Sequence, residues 1–512
     1  MTSGKKIILV NPPLSPDWDY AQKGMYAPPL GLLLVGTILK NAGFSVQIID
    51  GAYHEDYLAQ LEKGLKKESP LFVGISVETT QIPPALSTAQ VVRKHAPHAK
   101  IVVGGMHPTL FAEQTANDPL IDIVCVNEAE FTCLDLAQAL AHGKPLTEVK
   151  GIAFKEHGKV RLTTPRPLSD VNAFPNIDVG LVEIENYIVK DYAMVGGKDL
   201  EGGPVRRSLP IISSLGCSHK CTFCHNVILN KGWRPKPATR LIAEIEELMQ
   251  KYQVNDVQLV DELFFIDKRR VLEFLDLIEK KNLKFSWHTN VKASFFRDDY
   301  LNVELLKRLR RCGLFHLGMG AESGSQRMLN KIKKGITPEM ILRAAAWSKE
   351  SDINIGFSFM VGLPGETRED IIRTFQLVGQ ILKVNPNAYV IGPQTFRPYP
   401  GSDLHAEAVQ LGLQEPTTLR GWAQLYSKED NYVDMAKMPW ISENAFIKIC
   451  TFYLQKASMP YRPAHAWKRL AAKVVQPLAR FRTIAGFYHL PFEFRLYRAL
   501  SASTTPAAGE IA

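Results

Sequence analysis

The chain has 512 residues, a hydrophobic fraction of 46%, which is ordinary for a soluble globular protein, and a formal net charge of +9. Its length predicts more than one domain, since a single domain has roughly 100–200 residues. The sequence contains no apolar run of the roughly 18 residues that a membrane-spanning helix needs. It also lacks a recognition-helix signature and a basic stripe interleaved with aromatic residues, so we expect no nucleic-acid partner.

Cysteine usage and the N-terminus indicate the compartment. Three of the seven cysteines are clustered, which is typical of a reducing compartment and argues against a disulfide framework. The first six residues carry no secretory pattern. We therefore expect a cytoplasmic protein whose other cysteines, Cys125, Cys133, Cys312 and Cys450, are buried core thiols.

Residues 5–145 alternate short β-branched runs with amphipathic segments, which predicts an α/β domain with a doubly wound parallel sheet. The first helix is predicted over 29–42, opened by proline and closed by Gly43. The predicted strands are 6–10, 45–49, 71–77, 100–103 and 122–126. Ligands of such sheets bind beyond the carboxyl ends of the strands.

Those strand ends carry residues that suit a large flat ligand. Glycine lets such a ligand approach the backbone closely, and hydroxyl groups can form hydrogen bonds with polar groups at the edge of the ligand. The same residue types also make tight turns between strands and helices, so both interpretations stay open. The candidate contacts are Pro12, Ser76, Thr79, Gly104, Gly105, His107 and Glu128.

Residues 146–207 are predicted to separate two domains. A hairpin is expected over 151–162, with its turn at His157 and Gly158. From Thr163 to Arg207 follows a linker that contains Pro and Gly and has little periodicity.

A second alternation of strands and helices covers residues 208–405 and predicts an open, partial (βα)6 barrel. The strands are expected at 209–214, 256–260, 284–289, 314–318, 353–360 and 387–395, with helices near 238–252, 267–281, 302–311, 337–350 and 367–383. Active sites of such barrels lie at the carboxyl ends of the strands.

Three cysteines with the spacing C-x3-C-x2-C follow the first of these strands. They are Cys217, Cys221 and Cys224. Three thiolates can hold three irons of a [4Fe–4S] cluster and leave the fourth iron open to a small molecule. The alternative is a structural zinc site, which needs four ligands, so His219 or His225 would have to be the fourth.

Other loops at the same face carry polar residues. Asp261 and Glu262 could face a substrate or a ribose, or could simply begin a helix. His288 could donate a proton or be structural. Residues 318–325 combine glycines with Glu322, whose carboxylate could meet a cationic group. These alternatives leave the catalytic acid or base unknown.

The C-terminal residues 406–500 are predicted to be mainly helical and basic. Residues 461–500 mix aromatic residues with Lys and Arg, opposed only by Glu493. One interpretation is a segment that lies on an anionic membrane, which would make the protein membrane-associated. The other is a helical cap on the barrel with a solvated basic face. Residues 501–512 are small and polar, and we expect them to be disordered.

These motifs resemble the radical S-adenosylmethionine (SAM) enzymes. The resemblance rests on the cysteine spacing, the aromatic Phe223, the Glu-Ser-Gly-Ser segment from Glu322, Gly-Leu-Pro-Gly-Glu-Thr from Gly362, and residues 397–402. It implies that the open iron binds SAM and that one electron from the cluster releases a 5'-deoxyadenosyl radical. The SAM contacts implied by the resemblance are Phe223, Gly320, Glu322, Ser323, Gly362 and Pro364.

Residues 5–145 resemble the cobalamin-binding domain that precedes the barrel in one large subfamily. The chain departs from that pattern in two places. The Asp-x-His-x-x-Gly segment that ligates cobalt in cobalamin mutases is absent, so cobalamin is expected to bind without a protein histidine on cobalt. Asn127-Glu128-Ala129-Glu130 stands where the family often has Gly-Glu-Gly-Glu.

The resemblance implies a cobalamin-dependent radical SAM enzyme that methylates an unactivated carbon of a small-molecule substrate, such as a lipid or an anionic metabolite. It also implies a reducing partner such as flavodoxin or ferredoxin. The alternative is a radical ring closure, oxidation or rearrangement, for example of a tetrapyrrole, without methyl transfer. A more remote alternative is a corrinoid- or metal-binding module without catalysis.

Overall fold

The computed structural model of the chain describes residues 5–13, 27–188, 206–224, 232–425, 438–441, 444–458 and 466–495. Two parallel sheets dominate it, as the alternation of strands and helices predicts, and the α/β fold class is confirmed. The expected disorder of residues 501–512 concerns residues outside the described ranges. Within those ranges, no helix is both long and apolar enough to cross a bilayer.

The N-terminal sheet has seven strands in the order β2-β1-β3-β4-β5-β6-β7, and its first five strands are parallel. The strands are β1 (Lys6–Asn11), β2 (Ser45–Asp50), β3 (Phe72–Ser76), β4 (Lys100–Gly104), β5 (Ile123–Cys125), β6 (Ile152–Glu156) and β7 (Lys159–Leu162). The helices are α1 (Leu30–Asn41), α2 (Tyr57–Lys67), α3 (Ile82–His95), α4 (Met106–Leu110), α5 (Ala112–Ala116) and α6 (Glu130–His142).

The hairpin expected over 151–162 forms as β6 and β7, and it does not stand apart from the N-terminal domain. Strand β6 pairs antiparallel with β5, with Cys125 opposite Ile152, so the hairpin extends the N-terminal sheet by two strands. The buried side chains of Ile152 and Phe154 join the core beneath that sheet. This packing explains why the hairpin lies on the sheet edge.

The second sheet has six parallel strands in the order β15-β14-β13-β12-β11-β8, which is the predicted partial barrel. Its strands are β8 (Ser208–Ile211), β11 (Asp256–Leu259), β12 (Ser286–Val291), β13 (Leu314–Glu322), β14 (Asn354–Val361) and β15 (Tyr389–Thr395). The short strands β9 (Ser214–Leu215) and β10 (Arg234–Pro235) pair antiparallel beside it. The helices are α7 (Ala238–Tyr252), α8 (Lys268–Lys281), α9 (Val303–Arg311), α10 (Gln326–Lys331), α11 (Pro338–Glu350) and α12 (Arg368–Val384).

Two barrel strands differ from their predicted lengths. The first predicted strand breaks after Ile211, so the cysteine segment follows β9 rather than β8. Strand β13 continues to Glu322, because its glycine-containing end still pairs with β14 through a register shift between Gly320 and Glu322. Gly320 and Glu322 therefore lie on the strand end and not in a loop.

The C-terminal region is helical where it is described. Its helices are α13 (Asp403–Gln410), α14 (Leu419–Leu425), α15 (Asn444–Ser458) and α16 (Ala466–Ala485). Helices α15 and α16 pack on the barrel, and Cys450, Tyr453 and Tyr488 belong to its hydrophobic core. Helix α14 instead packs on α3 of the N-terminal domain.

Asp261 holds the segment that leads into the cysteines. This side chain is completely buried and accepts hydrogen bonds from the backbone N–H and the hydroxyl groups of Ser213 and Ser214, at the break between β8 and β9. Arg270 donates to the Ser213 carbonyl at 2.9 Å and to the Lys236 carbonyl at 2.8 Å. Asp261 is thus neither a substrate contact nor a helix cap; it fixes the start of the cysteine loop.

Replacing Asp261 with Asn is expected to lower the free energy of unfolding by roughly 3 kcal/mol, because an amide cannot accept all four of these hydrogen bonds and its NH2 group would face donors. Urea unfolding followed by tryptophan fluorescence measures the change. Asp299→Asn is the matched control, since Asp299 is an exposed residue paired with the exposed Arg297, and we expect a change within about 0.5 kcal/mol. Equal shifts for the two variants would contradict this role of Asp261.

Candidate active site

The cysteine loop crosses the carboxyl ends of the barrel strands. Cys221 is buried, whereas Cys217 and Cys224 are partly exposed, and all three are free thiols. A turn forms where the Cys224 N–H donates to the Cys221 carbonyl at 3.1 Å. The Thr222 N–H donates to the Ile332 carbonyl at 3.1 Å, so the loop is anchored to the segment that follows α10.

Two lysines give the thiols a positive environment. Burial raises the pKa of the Cys221 thiol, while the charges of Lys334 and Lys292 act in the opposite direction and favour the thiolate. Lys334 also lies near Cys224, and Lys292 near Cys217. Within the described residues, no three His, Cys, Asp or Glu side chains are already arranged around a metal position. Three thiols beside two cations nevertheless suit a sulfur-ligated anionic cluster.

Glu322 lies at the same mouth. It adopts a left-handed backbone conformation with φ of 64°, and its carboxylate accepts a hydrogen bond from the Lys334 ammonium at 2.7 Å. A Cβ on Gly320 would lie 2.2 Å from the Glu322 carboxylate oxygen and 2.9 Å from the Lys334 Nζ, so a larger residue would displace this ion pair. The Lys334 ammonium is 5.7 Å from the centre of the Phe223 ring, which brings Phe223, Gly320 and Glu322 together beside the cysteines.

The other predicted SAM contacts are engaged within the protein. Ser323 is completely buried, and its hydroxyl lies 3.1 Å from the Thr374 hydroxyl on α12. Gly362 and Pro364 are buried in a loop that the Glu366 carboxylate closes by accepting the Gly362 N–H at 2.6 Å. Burial raises the pKa of Glu366 to about 7.

At the N-terminal sheet, the strand ends are held by their own hydrogen bonds. The Pro12 carbonyl accepts from the Gln81 amide at 2.6 Å. Gly105 has φ of 107°, and a Cβ there would lie 2.8 Å from the Val77 carbonyl oxygen, so this glycine is needed for close packing of the ends of β3 and β4. Ser76 is the last residue of β3 and pairs with Gly104, the last residue of β4.

His107 does not face open space. It is completely buried, its Nδ1 atom lies 3.2 Å from the Thr79 hydroxyl, and its ring packs against Phe111 and Trp422. Burial lowers the pKa of His107 to about 4. The Trp422 indole donates to Gln114 at 2.8 Å, so α14 covers this histidine. The local sequence pattern did not predict this contact, because Trp422 and His107 are far apart in the chain.

The surroundings of Tyr399, termed the recess, are approached by both sheets. Tyr399 is 44% exposed, yet surrounding protein raises its pKa, and the charges of Glu78, Arg397 and Cys224 act on it. The Glu78 carboxyl, just beyond β3, is likewise exposed and has a pKa raised by surrounding protein. Tyr399 therefore lies near both the strand ends of the N-terminal sheet, through Glu78, and the cysteine loop, through Cys224.

Glu128 supplies a second connection across this recess. Its carboxylate forms an ion pair with Arg234, in the short strand β10, and accepts from the Ser169 N–H at 3.4 Å. Glu128 thus links the end of β5 to the barrel side. Sequence patterns did not single out Glu78, Arg234 or Lys292, because single charged residues in loops carry no periodicity.

Comparison with known proteins supports both halves of the chain. The sequence model of the Radical SAM superfamily matches residues 211–378, and that of the B12-binding domain matches residues 21–137. The chain is 30% identical over 414 residues to "Uncharacterized methyltransferase PH0819" of Pyrococcus horikoshii, covering 80% of this chain and 84% of that protein. It is 28% identical over 360 residues to the anaerobic magnesium-protoporphyrin IX monomethyl ester cyclase of Cereibacter sphaeroides, covering 68% of this chain and 56% of the cyclase.

Among solved structures, the cobalamin-dependent SAM radical enzyme OxsB, with aqua-cobalamin and SAM bound, matches with a TM-score of 0.69. The match covers 98% of this chain and 81% of OxsB at 15% identity, which supports the fold. The two domains imply a [4Fe–4S] cluster, SAM and cobalamin as cofactors, and the resemblance inferred from the motifs is confirmed. The chain belongs to the family of radical SAM enzymes that carry an N-terminal cobalamin-binding domain.

Proposed function

We propose that this enzyme methylates an unactivated carbon of a small-molecule substrate. The observation that carries the proposal is that Glu78, at the carboxyl edge of the N-terminal sheet, and Cys224, in the cysteine loop, both lie close enough to Tyr399 for their charges to act on it. A methyl carried by one cofactor and a radical made at another must meet the same substrate carbon. The relative from Pyrococcus horikoshii, which is described as a methyltransferase, supports the same reaction class.

When bound, the cluster and SAM supply a 5'-deoxyadenosyl radical, and methylated cobalamin supplies the methyl group. Cys217, Cys221 and Cys224 are the proposed cluster ligands, because they are the thiols of the loop that Lys292 and Lys334 make favourable for thiolates. His225, a fourth ligand in the zinc alternative, lies outside the described residues. The match of the barrel to the radical SAM superfamily favours the iron–sulfur cluster over zinc.

The SAM site is proposed around Glu322. Its carboxylate is the candidate partner of the methionine ammonium, in place of or alongside Lys334, and Gly320 keeps the space in front of it open. Phe223 lies within the same group. Ser323, Gly362 and Pro364 are buried, so any part they take in binding SAM is through the backbone or through the shape of the two loops.

The cobalamin site is proposed at the ends of β1, β3 and β4. Pro12, Ser76, Thr79, Gly104 and Gly105 lie along this edge, and the exposed Glu78 lies beside them. His107 contacts this edge through the Thr79 hydroxyl, and Glu128 connects the end of β5 to Arg234. The buried position of His107 agrees with cobalamin binding that uses no histidine on cobalt.

The second candidate function is a radical ring closure or oxidation without methyl transfer. The 28% identity to an anaerobic tetrapyrrole cyclase favours it. Both functions require one electron from a low-potential donor such as flavodoxin or ferredoxin, and we propose a partner of this class.

We also propose peripheral contact with an anionic membrane through the last described residues. Phe481, Leu490 and Phe492 are 63%, 74% and 61% exposed, and Ile484 and Phe487 are exposed beside them. The surrounding sequence is basic. Arg482, by contrast, is buried and bonds Glu493 at 2.9 Å, so it shapes this surface and does not contribute a free charge to it. Exposed aromatic residues among cations suit a lipid interface.

Replacing Cys217, Cys221 or Cys224 singly with Ala is expected to remove the cluster from anaerobically reconstituted protein and to lower SAM cleavage by more than about a hundredfold, since loss of even an outer partner of a metal ligand costs 10–100-fold. Iron and sulfide analysis and 5'-deoxyadenosine production measure this. Cys312→Ala, at a buried core thiol next to Glu279, should retain iron. Reconstitution with zinc in place of iron, or full turnover by any of the three variants, would refute the assignment.

Methyl transfer predicts S-adenosylhomocysteine and 5'-deoxyadenosine together. The loaded enzyme, a low-potential reductant and SAM with a trideuterated methyl group are incubated with a metabolite and lipid extract of cells that lack the gene. Mass spectrometry is expected to find one compound that gains the deuterated methyl group. A product that loses hydrogen without gaining methyl, with 5'-deoxyadenosine as the only SAM product, would establish the ring closure or oxidation instead.

Replacing Phe481 and Phe492 together with Ser is expected to weaken binding to vesicles of phosphatidylglycerol by more than about a hundredfold, because about 1.5–3 kcal/mol accompanies full burial of each ring and about 1.4 kcal/mol is tenfold in affinity. Co-sedimentation measures the bound fraction. Leu162→Ser, at an exposed position on β7, is the control and should not change binding. Equal, weak sedimentation with neutral and anionic vesicles, unaffected by the double substitution, would exclude the membrane contact.

A further inference from the structure

Lys292 occupies an unusual position beside the cysteine loop. It is the residue that follows β12 and is only 8% exposed. A Cβ placed on Gly335 would lie 3.4 Å from the Lys292 Nζ, so the ammonium lies directly against the backbone of the 332–335 segment. The same segment accepts the Thr222 N–H through Ile332. Lys292 is therefore lodged between the barrel and the cysteine loop.

A second contact fixes Lys292 from its C-terminal side. The Phe295 ring, three residues on, lies against the His219 ring of the cysteine loop, with 6.3 Å between their centres. The short helix Ala293–Phe295 joins these two points. The backbone on both sides of the Lys292 ammonium is thus held against the cysteine loop, which leaves the side chain little freedom to swing into solvent.

The charge of Lys292 has no carboxylate partner in the described part of the chain. The charged groups that act on it are the Cys221 and Cys217 thiols and the like charge of Lys334. Two other lysines of low exposure differ. Lys236 bonds the Glu244 carboxylate at 2.6 Å, and Lys334 bonds Glu322 at 2.7 Å. A buried charge is costly unless an opposite charge compensates it. Among the described residues, the thiols of Cys221 and Cys217 are the groups available to do so.

We propose that Lys292 is the counterion of the [4Fe–4S] cluster and raises its reduction potential. This inference rests on the proposed ligands Cys217, Cys221 and Cys224. A cluster core held by three thiolates is anionic and becomes more negative by one unit when a low-potential donor delivers one electron. No bond forms or breaks in that step, and [4Fe–4S]2+ becomes [4Fe–4S]+. A fixed positive charge in a water-poor site stabilises the more negative state.

Lys334 does not serve the same purpose, because its charge is shared with the Glu322 carboxylate. Although burial alone would lower the pKa of Lys334, the charges of Glu322, Cys221 and Cys224 raise it. The pair of Lys334 and Glu322 contributes almost no net charge to the site. Among the described residues, Lys292 is the buried lysine of this site that has no carboxylate partner. Its charge acts on the one-electron reduction of the cluster, which precedes the cleavage of SAM.

The test uses the full-length protein, anaerobically reconstituted with iron and sulfide, without SAM, cobalamin or substrate. The cluster is titrated with titanium(III) citrate in the presence of redox mediators, and the reduced cluster is quantified by electron paramagnetic resonance. Lys292→Met and Lys292→Gln remove the charge, Lys292→Arg keeps it, and Lys333→Gln removes the exposed charge of a neighbouring lysine as a control.

At a fixed potential, the ratio of reduced to oxidised cluster is expected to fall at least tenfold in the neutral variants, which for a one-electron couple is a shift of about 59 mV to more negative potential. Lys292→Arg and Lys333→Gln should remain within about a third of that shift from the wild type. Loss of iron in both neutral variants but not in the Arg variant would also support the counterion role.

An unchanged potential in either neutral variant that retains its cluster would overturn the proposal. So would loss of iron or an equal shift in Lys292→Arg, since both would show a role in packing rather than in charge. Failure of the wild-type chain to assemble an iron–sulfur cluster would instead contradict the proposed function. Iron analysis before the titration distinguishes that result from a failure of the counterion proposal alone.

Discussion

The architecture depends on one constraint: parallel strands collect their carboxyl ends at a single edge of each sheet, and here two such edges meet across one recess. Tyr399 lies between them, influenced by Glu78 from one side and Cys224 from the other. The ion pair between Glu128 and Arg234 connects the end of β5 to the short strand β10 on the barrel side. Everything proposed about the reaction follows from this meeting of two edges.

The barrel side of the recess concentrates buried charges. Asp261, which accepts four hydrogen bonds, fixes the entry of the cysteine loop, and the charges of Lys292 and Lys334 act on the Cys221 thiol. Burial works against each of these charges. Hydrogen bonds compensate Asp261 and the Glu322 carboxylate compensates Lys334, whereas the proposed cluster is the partner that Lys292 would require.

Much of this fold could be predicted from sequence, because buried parallel strands are continuous β-branched runs. Residues Ile7 to Val10 are almost fully buried, as that pattern predicts. The cysteine spacing could likewise predict a metal-binding loop, since that pattern is local in the sequence. What could not be predicted are pairings between distant residues: the hairpin on β5, Ser213 and Ser214 on Asp261, and Trp422 on His107. The predicted β13 was also too short. Glycines near its end are typical of a loop, but the pairing with β14 continues through them.

The docking of α14 has a consequence for how the protein is assembled. Trp422 bonds Gln114, Arg420 pairs with Asp118 at 3.1 Å, and the Pro416 carbonyl accepts from Gln114, so the far end of the chain fastens onto the N-terminal sheet. During synthesis, the chain can form these contacts only after both sheets have left the ribosome and begun to fold. Until then α14 does not cover His107, so the finished strand end of the N-terminal sheet depends on residues from both ends of the chain.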